Sequence, residues 1–189
     1  MKLVIIDGLD GSGKSTQARL LFRSLEKLNK TVCLRVHPET DNWFGLQARR
    51  QLHSKGKSAH FTSAFFYMVD VIRSILLFSW RDFDFVIFVR YLMGTAYLPA
   101  PIDSLAYNFF SSIVPKSGKM FFLDVFPEEA ALRIAENRRQ AEMFETLTAL
   151  RRVRWRARAL TRFDSWVIVD SNKPVNEVAL VLIRKTLSE

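Results

Sequence analysis

The sequence of 189 residues contains a single cysteine, Cys33, so it offers no pair for an intramolecular disulfide and no CxxC metal motif. Glycine and proline are scarce, at seven and six residues, which argues against fibrous and low-complexity classes. No uncharged apolar run reaches the roughly 18 to 20 residues that span a bilayer. The nearest candidate, residues 65–80, is interrupted by Asp70 and Arg73, and residues 1–6 are too short for a signal peptide. These absences favour a cytoplasmic protein without a membrane partner.

The chain has a formal net charge of +9 and a pI near 10.0. Such a basic protein is expected to bind polyanions, either nucleotides with several phosphates or nucleic acid. Much of the excess lies in RRVRWRAR, residues 151–158. On a helix these arginines spread around the surface, which indicates a solvated face first and a nucleic-acid track second.

Short apolar runs alternate with segments of helical periodicity along the whole chain. The predicted strands are 2–7, 31–36, 84–89, 119–125 and 166–170, and the predicted helices are 14–28, 41–54, 59–80, 128–138, about 143–162 and 174–188. This alternation predicts right-handed crossovers and a parallel sheet covered by helices on both faces. We therefore expect one three-layer α/β domain over residues 1–189, with mobile segments at 91–101 and at a lid of about 136–145.

A phosphate-binding motif lies between the first strand and the first helix. GLDGSGKS, residues 8–15, fits GxxxxGK[ST], and the strand–loop–helix context supports the match. Its glycines let several N–H groups point at one anion, while Lys14 is expected to reach the β and γ phosphates and Ser15 to bind Mg²⁺. The predicted ATP-binding residues are Gly8, Leu9, Asp10, Gly11, Ser12, Gly13, Lys14, Ser15 and Thr16.

The remaining motifs of other P-loop proteins are missing from the sequence. No DxxG follows the third strand, and Asn172-Lys173-Pro174 lacks the aspartate of a guanine-reading NKxD motif. The third strand also ends in Val89 rather than in the acid of a motor ATPase. A small kinase is the class that remains.

The stretch IDGLDGSGKSTQ, residues 6–17, strongly resembles the P-loop of thymidylate kinases, with Asp7, Asp10 and Gln17 at the matching positions. The likeness continues in order along the chain. It includes the loop after strand two, with Pro38-Glu39 followed by Gly45, and the DRY segment at Arg90-Tyr91. Further matches are the fourth strand and following helix at 123–134, the arginine-bearing lid at 136–145, and the last strand and helix at 166–178. The resemblance implies a P-loop kinase fold with a five-stranded sheet of order 2-3-1-4-5.

The resemblance also implies an activity, transfer of the γ-phosphoryl group of ATP to a deoxynucleoside monophosphate, dTMP above all. On this basis Lys14 and Mg²⁺ neutralise the donor, Arg90 bridges the two phosphates, and Arg138 or Arg139 approaches on the lid. Asp10 receives the sugar 3′-hydroxyl. The family likeness further implies a homodimer formed through the long apolar helix.

Several positions depart from the family pattern, and all of them concern the acceptor or the metal. Val89 replaces the acid of DRY, so Asp7 or Asp10, with Asp7 favoured, is expected to hold a water of Mg²⁺ in its place. Thr40 replaces an acceptor-phosphate arginine, for which Arg35 is the nearest substitute, and Val71 replaces a base-reading arginine. In the loop after DRY, Gly94-Thr95 stands near the position where the family has a serine. The predicted acceptor-binding residues are Asp10, Arg35, Phe66, Tyr67, Arg73, Arg90, Tyr91 and Tyr97.

Two other functions are compatible with these residues. One is a kinase on the same frame that phosphorylates a different phosphorylated acceptor. The other is a non-catalytic nucleotide-binding protein whose basic helix binds nucleic acid.

Overall fold

The computed structural model describes residues 1–52, 57–78, 82–137 and 146–188. The strands are β1 Lys2–Gly8, β2 Val32–Val36, β3 Phe85–Val89, β4 Met120–Asp124 and β5 Trp166–Asp170. The helices are α1 Lys14–Lys27, α2 Trp43–Leu52, α3 Lys57–Phe78, α4 Ile102–Ile113, α5 Pro127–Asn137, α6 Leu147–Leu160 and α7 Val175–Leu187, and a 3₁₀ helix covers Met93–Tyr97.

The five strands form one parallel sheet in the order β2-β3-β1-β4-β5, which confirms the predicted fold class and strand order. β1 lies at the centre, between β3 and β4. Ile6 of β1 is in register with Val89 of β3, so the residues that follow these two strands emerge side by side. The carboxyl edge of the sheet therefore brings the end of β1 next to Arg90.

The sheet is covered on both faces because alternate strand residues point to opposite sides. Val4 and Ile6 pack with Ala18 and Leu21 of α1 and with Leu182 of α7. Ile5 and Phe88 point to the other face, where α3, α4 and α6 contribute Val71, Tyr107 and Ala157 among others. The result is the expected three-layer arrangement.

Helix α4 and the 3₁₀ helix before it were not predicted from the sequence. In α4 the side chains of Leu105, Phe109 and Ile113 are exposed, while Asp103 and Ser111 are buried. Leu105, Phe109 and Ile113 recur at helical spacing, so the sequence did carry the signal of an amphipathic helix. Unlike the usual apolar stripe, this one faces away from the core. The predicted mobile loop at 91–101 contains the 3₁₀ helix.

Other boundaries agree with the prediction to within a few residues. Helix α3 ends at Phe78, and α6 begins at Leu147, slightly inside the predicted limits. Most of the predicted lid, with Arg138 and Arg139, lies outside the described residues. Across the described ranges, none of the helices combines the length and apolarity that a membrane span requires.

Candidate active site

The loop between β1 and α1 is shaped by glycines that no other residue can replace without strain. Gly11 has φ of 76°, and a Cβ atom there would lie 2.5 Å from the Ala130 carbonyl oxygen. Gly8 has φ of 149°, and its Cβ would lie 2.5 Å from the Leu123 carbonyl oxygen. Both the left-handed backbone and the lack of space therefore require glycine. The spacing of glycines in the motif reflects the close packing of this loop on β4 and α5.

The loop leads into the N-terminus of α1, where no side chain caps the helix. Gly13 occupies the N-cap with φ of 85°, and the first turn contains no acidic residue. The first N–H groups of a helix have no partner within the helix, and the helix dipole makes their position favourable for an anion. This end of α1 is therefore suited to a phosphate group, with Ser15 half-buried and Thr16 exposed in its first turn.

Lys14 is buried and lies across the loop rather than extending from it. Its Nζ atom donates hydrogen bonds to the carbonyl oxygens of Gly8, at 2.8 Å, and Leu9. The Asp10 carboxylate lies 3.6 Å away. Burial lowers the pKa of Lys14 to about 8, although Asp10 favours the charged form. An anionic ligand next to this ammonium group would raise its pKa again.

Asp10 is held by two side chains from the segment after β3. Its Oδ1 atom accepts a hydrogen bond from Arg90 at 2.9 Å, and its Oδ2 atom accepts one from the Tyr97 hydroxyl at 2.8 Å. Burial alone would raise the pKa of Asp10, but the charges of Lys14 and Arg90, with these hydrogen bonds, hold it well below the usual range. Burial, reinforced by Asp10, raises the pKa of Tyr97 well above its ordinary value. The pair therefore consists of a carboxylate and a neutral phenol.

Arg90 has a backbone conformation that is unusual for an arginine. Its φ is 59°, in the left-handed region. The Arg90 N–H donates to the Ile6 carbonyl at 3.1 Å, and its guanidinium donates to the His37 carbonyl at 3.2 Å as well as to Asp10. Contacts from β1, the P-loop and the segment after β2 thus hold the side chain at the carboxyl edge of the sheet. Asp10 more than offsets the effect of burial and raises the pKa of Arg90, so the guanidinium stays charged.

Asp7 connects the start of the P-loop to the segment that carries Arg90. Its Oδ2 atom accepts hydrogen bonds from the N–H groups of Tyr91, Leu92 and Met93, at 2.8, 3.1 and 3.0 Å. Its Oδ1 atom accepts one from Gly8 N–H at 3.0 Å, and only 2% of the residue is exposed. The predicted role in holding a water of Mg²⁺ stays a prediction. The observed bonds give Asp7 a second task, the fixing of the turn after β3.

A buried pair that was not predicted, His37 and Asp70, lies beside Arg90, which donates a hydrogen bond to the His37 carbonyl. His37 and Asp70 are both fully buried, and His37 Nδ1 lies 2.8 Å from Asp70 Oδ2. Asp70 also accepts hydrogen bonds from the Glu39 N–H at 2.9 Å and from the Asn42 side chain at 2.6 Å. Burial alone would raise the pKa of Asp70, but the bonds from His37 and Glu39 lower it. The sequence did contain a signal for this pair. Asp70 interrupts the apolar run of α3, and a carboxylate buried there needs hydrogen-bonding partners.

Tyr67 lies against Gly94 and close enough to Asp7 and Arg90 for their charges to affect its hydroxyl. A Cβ atom on Gly94 would come within 2.6 Å of the Tyr67 ring. The Tyr67 hydroxyl is buried and has no hydrogen-bond partner among the residues that the structure describes. Burial, with a contribution from Asp7, raises its pKa well above the ordinary value. Val71, one turn further along α3, is fully buried in the core.

Other predicted acceptor-binding residues make contacts elsewhere. Arg35 bonds Asp41 at 2.8 Å and lies over the Phe78 ring at 4.5 Å, and Arg73 lies 3.6 Å from Asp41. The structure thus joins both arginines to Asp41 rather than to the Asp10–Arg90 pair.

Phe66 and Tyr91 take part in aromatic packing. Phe66 packs edge-on against Trp43 with ring centroids 5.4 Å apart. Tyr91 is fully buried, stacks on Phe88 and donates a hydrogen bond to the Pro115 carbonyl at 3.0 Å. Both rings therefore have structural partners within the fold.

The side chains around the P-loop suit a metal that binds mainly through phosphates. No cluster of three His, Cys, Asp or Glu side chains able to hold a metal occurs within the described ranges. The carboxylates of Asp7 and Asp10 already accept hydrogen bonds, and Val89 is fully buried. Mg²⁺ keeps several waters and uses one or two protein ligands beside substrate phosphates, which fits a site with the Ser15 hydroxyl alone.

Comparisons with known proteins agree on one family. The family model for thymidylate kinase matches residues 6–180. The probable thymidylate kinase of Metallosphaera sedula is 31% identical over 193 residues, covering 100% of this chain and 95% of that protein. The probable thymidylate kinase 1 of Saccharolobus solfataricus is 30% identical over 193 residues, covering 98% of each chain. The solved thymidylate kinase of Candida albicans has the same fold, with a TM-score of 0.73, 22% identity, and coverage of 97% and 89%.

Proposed function

The chain belongs to the thymidylate kinase family, and we propose on this premise that it transfers the γ-phosphoryl group of ATP to dTMP, giving ADP and dTDP. It is a nucleoside monophosphate kinase with ATP as the phosphate donor. The observation that carries the proposal is the cluster of Lys14, Asp10 and Arg90, where a buried cation of the P-loop and a partly exposed cation after β3 share one carboxylate. Two cations that meet at one carboxylate oxygen suit the meeting of two phosphates.

The donor phosphates are bound by the loop and by Lys14. N–H groups of the loop and of the first turn of α1 receive the phosphate oxygens. Lys14 gives up its bonds to the carbonyls of Gly8 and Leu9 and moves to the phosphates, which relieves the burial of its charge. Mg²⁺, held by Ser15 and the phosphates, adds neutralising charge when it is bound.

The acceptor is bound by Arg90 and Asp10. Arg90 exchanges part of its bond to Asp10 for the acceptor phosphate and, being fixed from three sides, keeps both phosphates in line. Asp10, which stays ionised, accepts the hydrogen bond of the sugar 3′-hydroxyl. Tyr97 bonds the same carboxylate and limits the space beside the sugar.

Asp7 acts as a positioning residue for Arg90. Three consecutive N–H groups converge on its Oδ2 atom directly after Arg90, and this supports the left-handed backbone that points the guanidinium at Asp10. A positioning error of about 1 Å in a reacting group can cost on the order of 10²-fold in rate. The resemblance to thymidylate kinases assigns Arg138 or Arg139 to neutralising charge on the transferred phosphoryl group, and both lie outside the described residues.

The acceptor base lies beside Tyr67 in this proposal. The buried hydroxyl of Tyr67 has unused hydrogen-bonding capacity, and its ring is packed on Gly94. Val71 presents no polar atom at the neighbouring turn of α3, so base selectivity depends on Tyr67 and on shape. This observation favours a kinase with a different nucleoside monophosphate acceptor as the second candidate function.

We also propose a homodimer that works in the cytoplasm. Large apolar side chains are exposed on α3, at Phe65 and Leu76, and on α4, at Leu105 and Phe109. Exposed apolar patches of this kind mark interfaces between subunits. Sedimentation at micromolar concentration tests the proposal, with a dimer expected for the native chain and a monomer for L105E/F109E. A native monomer contradicts the homodimer.

The activity is tested with ATP, Mg²⁺ and a panel of nucleoside monophosphates, by measuring ADP formation. We expect the highest turnover with dTMP and a loss of turnover in Lys14→Met. Turnover with another monophosphate but not with dTMP would support the second candidate, and turnover with none of the panel would overturn both.

A further inference from the structure

A basic groove lies on the edge of the sheet, formed by α6, β5 and the start of α5. We call it the α6 groove and define it by Arg151, Arg154, Arg158 and Arg162 with Trp155 and Phe126. Its volume is about 690 Å³. Ile168 of β5, the strand at the edge of the sheet, adds an apolar side chain to its lining. We propose that the α6 groove binds single-stranded nucleic acid.

The arginines of the groove follow from the helical repeat. Positions 151, 154, 158 and 162 are three or four residues apart, which puts their side chains on one face of α6 and its C-terminal extension. The sequence indicated this arginine-rich segment as a solvated face. In the structure, three of its arginines do not spread around the helix; Arg151, Arg154 and Arg158 line the α6 groove together with their neighbour Arg162. Arginine suits this location because its planar fork binds phosphate oxygens in pairs and also stacks on rings.

Internal ion pairs account for only part of this charge. Arg154 forms a two-point bond with Asp124, at 2.7 and 2.9 Å, and Arg151 bonds Glu128 at 2.7 Å. Arg158 reaches Asp124 at 3.4 Å and remains half exposed. Arg162 is exposed and forms no ion pair with the residues that the structure describes. Asp170 adds a third negative charge near Arg154. Four guanidinium groups against the carboxylates of Asp124, Glu128 and Asp170 still leave a net positive groove, which is complementary to a polyanion.

The aromatic side chains point to single strands rather than to duplex. Trp155 is 72% exposed and Phe126 is 54% exposed, so neither ring is buried in the core. The Arg154 guanidinium already lies over the Phe126 ring, 5.1 Å from its centroid. Arginine beside exposed aromatic rings is the combination on which unpaired bases stack while the backbone phosphates meet cations. Duplex DNA keeps its bases stacked on each other and offers these rings no partner.

The groove is distinct from the proposed active site. Its lining contains neither the P-loop lysine Lys14 nor Arg90, and its charges come from α6 rather than from the loops at the ends of β1 and β3. Nucleic-acid binding is therefore separable from phosphoryl transfer by mutation. Loss of one property with retention of the other distinguishes the two proposals.

The test measures fluorescence anisotropy of labelled 15-nucleotide single strands, DNA and RNA, and of the matching duplex, at 50 and 200 mM salt. In R158Q/R162Q we expect at least a 10-fold weaker affinity for the single strands. The salt slope should fall by about 1.4, since each lost phosphate contact on a single strand removes about 0.7. Trp155→Ala should weaken binding by about 10-fold, whereas Trp155→Phe keeps a stacking ring and most of the affinity.

The matched control is R19Q/R23Q, which removes the same charge from two exposed arginines four residues apart on α1. We expect less than a 2-fold change in affinity in this control and unchanged dTMP phosphorylation in R158Q/R162Q. The proposal is overturned by any of four results: absence of binding at 50 mM salt, an equal loss in the control, tighter binding of duplex, or no effect of Trp155→Ala. Groove-dependent binding of a single mononucleotide or of phosphatidylserine vesicles, without binding of the strands, also overturns it.

Discussion

The carboxylate of Asp10 and the guanidinium of Arg90 form an ion pair of 2.9 Å that joins the P-loop to the residue following β3. Lys14 lies 3.6 Å from the same carboxylate, so one buried acid balances a buried cation, Lys14, and a partly exposed one, Arg90. A substrate phosphate can take the place of Asp10 as the anionic partner of one cation while Asp10 keeps its contact with the other. Asp10 therefore holds Lys14 and Arg90, the two cations that we propose bind phosphate, in an ordered position.

Arg90→Lys tests the bridging role. Lysine keeps the positive charge and faces the same left-handed backbone, but it lacks the fork that can bond two phosphates at once. We expect kcat to fall on the order of 10³-fold or more while the KM for ATP changes little. Arg19→Lys, on the exposed face of α1, is the matched control and should be neutral. A fall of less than about 10-fold in Arg90→Lys would show that the fork does not bridge the phosphates.

Asp7→Asn tests the positioning of Arg90. The asparagine amide replaces one acceptor oxygen by a donor, so it cannot receive all four N–H groups. We expect kcat to fall on the order of 10²-fold, with an unchanged Mg²⁺ concentration for half-maximal rate. A shifted Mg²⁺ requirement would instead support the predicted role of Asp7 in holding a metal-bound water.

Asp84→Asn provides the control for Asp7, because Asp84 bonds the N–H and hydroxyl of Thr31 at the opposite edge of the sheet. We expect it to lower the melting temperature and leave kcat unchanged. If Asp7→Asn lowered the melting temperature by the same amount and kept full kcat, Asp7 would be structural only.

The pH dependence of ATP binding tests the environment of Lys14. Burial lowers the pKa of Lys14 to about 8 in the free protein, and phosphates favour the protonated form, so the bound pKa is higher. ATP affinity should then be full below pH 8 and fall as the pH rises above 8, with proton uptake on binding. Calorimetry between pH 6.5 and 9.5 measures both. Lys14→Arg stays charged throughout this range and should bind with little pH dependence, and a flat native profile would contradict the lowered pKa.

Gly94→Ala tests the place of Tyr67 at the acceptor. The added methyl group would come within 2.6 Å of the Tyr67 ring, so the ring must shift. We expect the KM for dTMP to rise about 10-fold while the KM for ATP stays constant. Gly118→Ala is the control, since nothing lies within 4 Å of its added carbon. Equal kinetics in the two variants would remove Tyr67 from the acceptor site.

Local patterns were enough to predict the frame of this protein. The glycine spacing at 8–13 was predictive because the loop conformation depends on φ angles that glycine alone adopts freely. Strand and helix alternation predicted the parallel sheet and its layers. Helix α4 was missed although Leu105, Phe109 and Ile113 follow helical spacing, and the sequence could not show that this apolar stripe faces outward.

The sequence by itself determined the P-loop and the parallel sheet, since these depend on neighbouring residues and on periodicity. The kinase class followed from the missing motifs of other P-loop proteins and from the resemblance to thymidylate kinases. Tertiary structure alone decided which groups meet: Asp7 with the N–H groups of Tyr91 to Met93, His37 with Asp70, and Arg35 with Asp41. His37 and Asp70 are 33 residues apart. Contacts of this kind follow from strand order and helix packing, which bring together residues that no local pattern relates.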